Sequence, residues 1–241
     1  MHIIHSLALA AVLAIPTAAL GQPSAPVRVT AGAMLDTTFV RSGTDSLAIL
    51  AAHGGRSVRV GTAVTEIRAD PPRDDDRRVI YVQRLLIDGA HPVVADSLHA
   101  RWGTLVPIRA HTRGDDPHNF YFTSEGVLIM SLGDDDPDRE VDLDALVFYR
   151  AFDLLLRALP LRPGYRAVLP VLGSEDEVGE LHVSVTGEDS ARTLDGGACP
   201  ALVVEVREGS FAGTFRLSTA DRSVIRFDSP RATLVRPTGC P

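Results

Sequence analysis

Alternation of apolar and polar residues is the sequence feature that most limits what this chain can fold into. Apolar side chains occupy every second position in 181–186, and the same period of two returns in 202–207, 214–218 and 224–228. Successive side chains of a strand point to opposite faces, so each segment has one dry and one wet face. Such strands belong to antiparallel sheets, and the short turn 219–222 makes the last two a hairpin.

The N-terminal half carries the same pattern with more interruptions. Strands are predicted at residues 46–50, 57–68, 78–88, 105–112, 119–123 and 127–131. Proline-containing acidic segments separate several of them, because proline has no amide donor for a ladder. The run 134–138 lacks the spacing and central glycine of an EF-hand loop, so we expect a solvated connection rather than a calcium site.

One amphipathic helix is predicted between the two sets of strands. Asp142 or Asp144 is the expected N-cap, and Pro160 ends the helix. Its apolar stripe consists of Phe148, Phe152, Leu155, Leu156 and Leu159, whereas Arg150, Asp153 and Arg157 lie off it. We expect the stripe to pack as core on the concave face of the sheet, with a lid over a ligand groove as the alternative. The inward sheet residues are predicted to include Val183, Val185, Leu202, Val204, Phe215 and Leu217.

The fold class is therefore expected to be mainly β. The predicted architecture is a curved antiparallel sheet, or a partly open β-barrel or clam, with one amphipathic helix packed on it. Residues 22–241 form a single β-rich domain, in which residues 22–30 are a short leader.

The first residues have the pattern of a secretory signal peptide. The apolar run 7–20 is 14 residues long, shorter than the ~20 needed to span a bilayer. Small residues at Ala19 and Gly21 place the cleavage after Gly21, so residues 1–21 are expected to be removed. We expect an exported protein, periplasmic or extracellular, with no transmembrane segment in the mature chain.

The two cysteines, Cys199 and Cys240, are expected to form a disulfide. An exported chain meets an oxidising compartment, where such a pair forms a bond. Two buried free thiols are the alternative.

Composition and motifs argue against several classes of function. The net charge of −7 does not suit nucleic acid, which selects basic patches. Hydrolase, zinc-protease and phosphate-loop signatures are missing, so we expect no enzyme, cofactor or metal. His111 and His118 flank Asp115 and Asp116, and these four could meet, but the spacing favours exposed loop residues.

The C-terminal half carries a resemblance to a known family. A helix end, Leu155 to Leu159, leads into Leu-Pro-Leu-x-x-Gly at 159–164. A Gly-Gly-Ala-Cys turn at 196–199 then opens a strand, and a hairpin joins 213–218 to 224–227. This order over residues 140–236 resembles the DUF3108-like family of exported, β-rich bacterial proteins of unknown function, although Phe215 stands where many members have tryptophan. The resemblance implies a curved periplasmic sheet similar to those that cradle apolar ligands, and it carries over no catalytic residue.

Two hypotheses on function remain open. The first is an envelope protein that binds an apolar or lipid-like ligand in a groove between sheet and helix. The second is a structural or interaction protein of the envelope whose core is filled by its own side chains. An unfilled apolar cavity would separate them.

Overall fold

The structure is a computed structural model that describes residues 25–69, 77–88, 94–113, 117–131, 138–143, 145–173 and 177–241. The expected signal peptide, residues 1–21, lies outside these ranges, as do 22–24 of the leader and 134–137 of the acidic run.

Strands dominate the described part of the chain. They are β1 (Val27–Arg28), β2 (Gly43–His53), β3 (Arg56–Ala69), β4 (Arg78–Ile87), β5 (Val94–Arg101), β6 (Pro107–Arg113), β7 (His118–Phe122), β8 (Gly126–Ser131), β9 (Arg139–Asp142), β10 (Phe148–Tyr149), β11 (Arg166–Leu172), β12 (Val178–Arg192), β13 (Ala198–Glu208), β14 (Phe211–Ser218), β15 (Val224–Asp228) and β16 (Thr233–Val235). One α-helix, α1 (Phe152–Ala158), and one 3₁₀ turn (Thr37–Phe39) accompany them. No helix in the described ranges has the length and hydropathy needed to cross a membrane.

All of these strands belong to one sheet. The hydrogen-bonded order is β1-β11-β12-β13-β14-β15-β16-β2-β3-β4-β5-β6-β7-β8-β9, and β10 pairs with β11 beside β1. Every pairing is antiparallel except those of β1 and β10 with β11. Within the described ranges this ladder does not close into a ring.

The sheet curves around a common apolar core. The rings of Phe120 in β7 and Tyr149 in β10 lie 5.7 Å apart between centroids, although these strands stand near opposite ends of the sheet. Buried residues of both halves, including Leu98 and Leu181, belong to one hydrophobic cluster. The predicted fold class, a curved and partly open mainly β structure, is therefore confirmed.

Most predicted strands exist within a few residues of their expected bounds, and β14 and β15 form the predicted hairpin. β5 was not predicted. Its inward positions are Asp96, Leu98 and Ala100. Because one of these is charged and one is small, the segment does not show the apolar–polar alternation of a strand.

β11 was also missed, because it shows no alternation. After the exposed Arg166, most of its residues are buried on both faces and form a continuous apolar run, interrupted by Pro170. The proline is tolerated because neighbouring strands leave a gap on that side. β1 pairs with Ala167 and Val168, and β10 pairs with Val171 and Leu172.

The helix is shorter than predicted. α1 begins at Phe152, and Ala151 holds the N-cap position without a side-chain hydrogen bond. The predicted N-cap is therefore wrong: Asp142 lies in β9, and Asp144 lies outside the described residues.

Phe148 is not helical, although it continues the apolar stripe. It forms β10 with Tyr149, and the two residues pair in parallel with Val171 and Leu172 of β11. Helical spacing places Phe148 correctly in the interior, but the ladder bonds to a distant strand decide its backbone conformation.

A disulfide joins the start of β13 to the C-terminal tail. Cys199 and Cys240 are bonded, with their Cα atoms 5.4 Å apart. The predicted pairing is confirmed.

Candidate functional site

A cavity of about 420 Å³ lies inside the curved sheet. Inward residues of β2 to β5 form one wall, residues of β13 to β16 form the facing wall, and α1 contributes Phe152, Asp153 and Arg157. The volume falls within the ~300–1,000 Å³ of small-molecule sites. It is nearly three times that of an apolar cavity of ~150 Å³ that holds benzene.

Aromatic rings form much of the wall on the β13 to β16 side. Phe227 packs on Phe215 with 4.4 Å between ring centroids, and it stacks on Phe211 at 6.0 Å. Phe211 in turn lies 5.2 Å from Phe152 at the start of α1. Aliphatic side chains cover the facing wall: Leu47, Ile49, Ala63, Leu85 and Ile87. Apolar groups therefore make up most of the lining.

A row of polar residues crosses the otherwise dry inner face of the sheet. Asp45 of β2 pairs with Thr65 of β3, Thr65 with Gln83 of β4, and Gln83 with Asp96 of β5. The row continues from Asp96 to Thr112 of β6. The first four of these residues line the cavity. We call these five residues the polar row.

Two arginines hold the β2 end of the polar row. Asp45 accepts a hydrogen bond from Arg157 of α1 at 2.5 Å and another from Arg236 at 2.9 Å. Arg157 is only 6% exposed, so this ion pair is shielded from water. The network ties α1 and the segment after β16 to β2.

A second buried pair lies beside it. The hydroxyl of Tyr81 donates to Oδ1 of Asp153 at 2.7 Å, and both residues are buried. Burial raises the pKa of Asp153 above its ordinary value, although Arg157 and the Tyr81 hydroxyl act to lower it. Burial and the neighbouring Asp153 raise the pKa of Tyr81 well above its ordinary value. The two side chains form a buried, hydrogen-bonded pair in which Tyr81 is the donor.

Two carboxyl groups lining the cavity have an oxygen without a hydrogen-bond partner in the structure. They are Oδ1 of Asp96 and Oε2 of Glu208. Burial raises the pKa of Asp96, against the opposing effects of Arg150 and His111.

Two glycines make room for the carboxyl group of Glu208. A side chain on Gly173 would overlap this carboxylate, and one on Gly179 would approach it to 3.1 Å. Nη1 of Arg150 donates to the carbonyl oxygen of Gly173 at 3.3 Å, so a guanidinium stands on the same side of the cavity.

The residues of the predicted helix stripe separate into two groups. Phe152 lines the cavity and is partly exposed. Phe148, Leu155, Leu156 and Leu159 are buried in the main hydrophobic cluster and do not line the cavity. Of the predicted inward sheet residues, Phe215 lines the cavity. The remaining five are core: Val183, Val185, Leu202, Val204 and Leu217.

Sequence reasoning missed the polar side chains of the cavity, although a signal for some of them was available. Glu208 continues the inward positions of Leu202, Val204 and Val206, and Asp45 precedes the inward Leu47 by two. A charged residue on the dry face of a strand is unusual and deserves a reason. Asp153 and Arg157 carry a comparable signal, being four residues apart on a helix whose other residues are mostly apolar.

The two histidines that flank Asp115 and Asp116 are not loop residues. His111 lies in β6 and contacts Oδ1 of Asn119 through Nδ1 at 2.9 Å, and His118 is buried in β7. The prediction of exposed loop positions is wrong for both, whereas the two aspartates lie outside the described residues. No group of three or more His, Cys, Asp or Glu that could hold a metal occurs in the described part of the chain.

The family model described as a protein of unknown function, DUF3108, matches residues 50–229. The crystal structure of a β-barrel-like protein of a domain of unknown function, DUF1849, from Brucella abortus is similar with a TM-score of 0.48 and 10% identity. The alignment covers 81% of this chain and 94% of that one. None of the curated proteins is significantly similar in sequence.

Proposed function

The chain belongs to the DUF3108 family of proteins of unknown function, and from that premise we propose that it is an exported protein that binds a single-chain, apolar or lipid-like ligand in its cavity. The cavity itself carries the proposal. It measures about 420 Å³, and most of its wall is aromatic and aliphatic.

Cavity size and composition support a ligand of modest volume. Small-molecule sites combine a mostly apolar wall with a few polar groups that fix orientation. The aromatic wall can contact an alkyl chain or a ring system of a ligand, and the polar row supplies hydrogen-bonding groups at one side of the cavity. The volume is at the low end for such sites, so one acyl or alkyl chain fits better than a two-chain phospholipid.

The second candidate function is a structural or interaction protein of the envelope with a filled core. Close packing leaves few voids larger than a water molecule in an ordinary interior. A void of about 420 Å³ beside a well-packed helix favours binding over a purely structural role.

Filling the cavity from one wall separates the two functions. Ala63 is buried and lines the cavity, whereas Ala110 is buried on the same inner face but does not line it. We expect Ala63→Leu to weaken binding of the fluorescent probe N-phenyl-1-naphthylamine at least tenfold and to leave the free energy of unfolding almost unchanged. The matched Ala110→Leu should cost about 1–3 kcal/mol, as overpacking does, and retain binding.

A filled core predicts a different result. The wild-type protein would not bind the probe, and Ala63→Leu would destabilise the fold as much as Ala110→Leu. Either observation would reject the ligand-binding function and leave the structural one.

Export rests on two observations. The residues 1–21 have the pattern of a cleaved signal peptide, and the Cys199–Cys240 disulfide suits an oxidising compartment. Native mass spectrometry of protein isolated from its own cell envelope tests compartment and ligand together. We expect a chain that begins at Gln22, within a few residues, with an additional retained mass. An intact Met1 in cytoplasmic protein would contradict export.

A further inference from the structure

We propose that the ligand carries a head group that donates hydrogen bonds, an ammonium or a hydroxyl, and that the carboxyl groups of Asp96 and Glu208 receive it. This inference rests on the proposed binding function and specifies the chemistry of the ligand. It distinguishes such amphiphiles from fatty acids and phosphate-headed lipids.

Glu208 supplies the first acceptor. Its side chain is about nine-tenths buried, lines the cavity, and has no hydrogen-bond partner at Oε2. The bare backbones of Gly173 and Gly179 give its carboxyl group space where side chains would overlap or crowd it. Leaving a buried acceptor unpaired costs about 1–3 kcal/mol, and more if the group is charged. A donor on the ligand would remove this cost.

Asp96 supplies the second acceptor. It lies at the β5 position of the polar row, lines the cavity, and has no hydrogen-bond partner at Oδ1. Each of the two acceptors offers a donor head group a partner inside a mostly apolar cavity.

Three side chains that line the cavity already direct a donor to an acceptor, although Nε of Arg157 has no hydrogen-bond partner. Arg157 donates to Asp45, the Tyr81 hydroxyl donates to Asp153, and Arg150 donates to the carbonyl oxygen of Gly173. An anionic head group would compete with Asp45, Asp153 and the carbonyl oxygen of Gly173 for the donors that they already hold.

The charges of the lining point the same way. Four carboxyl groups line the cavity, and three guanidinium groups act on them: Arg150 and Arg157 of the lining, and Arg236, which bonds Asp45. A carboxylate or phosphate head would add negative charge to this set, whereas an ammonium would offset it.

Competition against N-phenyl-1-naphthylamine tests the head group. Dodecylamine, dodecan-1-ol and dodecanoate share one alkyl chain and differ in the head. Below the micelle-forming concentrations of the amine and of dodecanoate and below the solubility limit of the alcohol, we expect the amine, the alcohol or both to displace the probe at concentrations at least tenfold lower than dodecanoate. Comparing the first two compounds identifies which donor is preferred. Displacement by dodecanoate at equal or lower concentrations would overturn the inference while leaving the binding function intact. A wild-type protein that does not bind the probe would instead overturn the binding function itself.

Variants then identify the acceptor. Glu208→Gln should reduce the preference for the donor head over dodecanoate at least tenfold, because an amide is both donor and acceptor. Glu205→Gln is the matched control, since Glu205 is exposed on the outer face of the same strand. This variant should prefer the donor head over dodecanoate by the same factor as wild type. Asp96→Asn provides the same test if Glu208→Gln does not fold. An unchanged preference in every folded cavity variant would overturn the assignment of these acceptors.

Discussion

At the scale of single residues, the interior of this protein is unusual for its buried charges. A carboxylate taken out of water is costly unless partners satisfy it. Asp45 meets this condition through two arginines, and Asp153 through Tyr81 and Arg157. Asp153 still has a raised pKa, so burial outweighs its partners.

This raised pKa makes the stability depend on pH in a defined direction. The folded state holds the Asp153 proton more tightly than the unfolded state, whose pKa is close to 3.8. The contribution of Asp153 to stability is therefore fully present below about pH 4 and falls as the pH rises through the folded pKa.

We expect Asp153→Asn to remove this fall. The asparagine cannot ionise, and its carbonyl can still accept from Tyr81, so the variant should gain stability relative to wild type as the pH rises from 4 towards 7. Tyr81→Phe should lose stability relative to wild type over the same pH range, because it removes a hydrogen bond that lowers the pKa of Asp153. Urea unfolding at several pH values measures the difference in unfolding free energy between each variant and wild type. A difference between Asp153→Asn and wild type that does not change with pH would show that Asp153 does not titrate as proposed.

At the scale of elements, α1 is a short helix that is buried around most of its circumference. Leu154, Leu155, Leu156 and Ala158 are all at most 3% exposed, which favours a core helix over an opening lid. Phe152 at its first turn is different, because its ring forms part of the cavity wall against Phe211.

Two truncations in α1 should therefore have different effects. Leu156→Ala should cost about 2–5 kcal/mol, as expected for a fully buried leucine, with little effect on probe binding. Phe152→Ala should cost less than the ~3–5 kcal/mol typical of buried phenylalanine, because it widens an existing cavity, and should weaken binding of N-phenyl-1-naphthylamine. Chemical unfolding and probe titration measure the two effects. If Phe152→Ala cost the whole ~3–5 kcal/mol and left probe binding unchanged, Phe152 would be a core residue and not part of the binding site.

At the scale of the whole molecule, an open sheet needs connections that hold its parts together. The disulfide closes a loop with a sequence separation of 41 residues, which corresponds to about 4 kcal/mol of chain entropy in the loop-closure model. Arg236 lies between β16 and Cys240 and bonds Asp45 of the neighbouring strand β2. The C-terminal segment is thereby fixed to β2 and to β13, on either side of the β14 to β16 strands that carry part of the cavity wall.

The sequence by itself determined most strands, the mainly β class and the disulfide. Side-chain direction in an extended chain is a local property with a period of two, so alternation in 181–186 or 224–228 is visible without any partner. The disulfide was equally accessible, since two cysteines allow a single intramolecular pairing.

Only the tertiary structure decided the length of α1, the pairing of β10 and β11, and the cavity. Phe148 is compatible with both a helix stripe and a strand. It is a strand residue because β10 pairs with β11, some twenty positions further along the chain. The polar row likewise depends on register, because Asp45, Thr65, Gln83 and Asp96 become neighbours only when four strands align. A cavity is the space that distant elements leave between them, so no local pattern in the sequence encodes it.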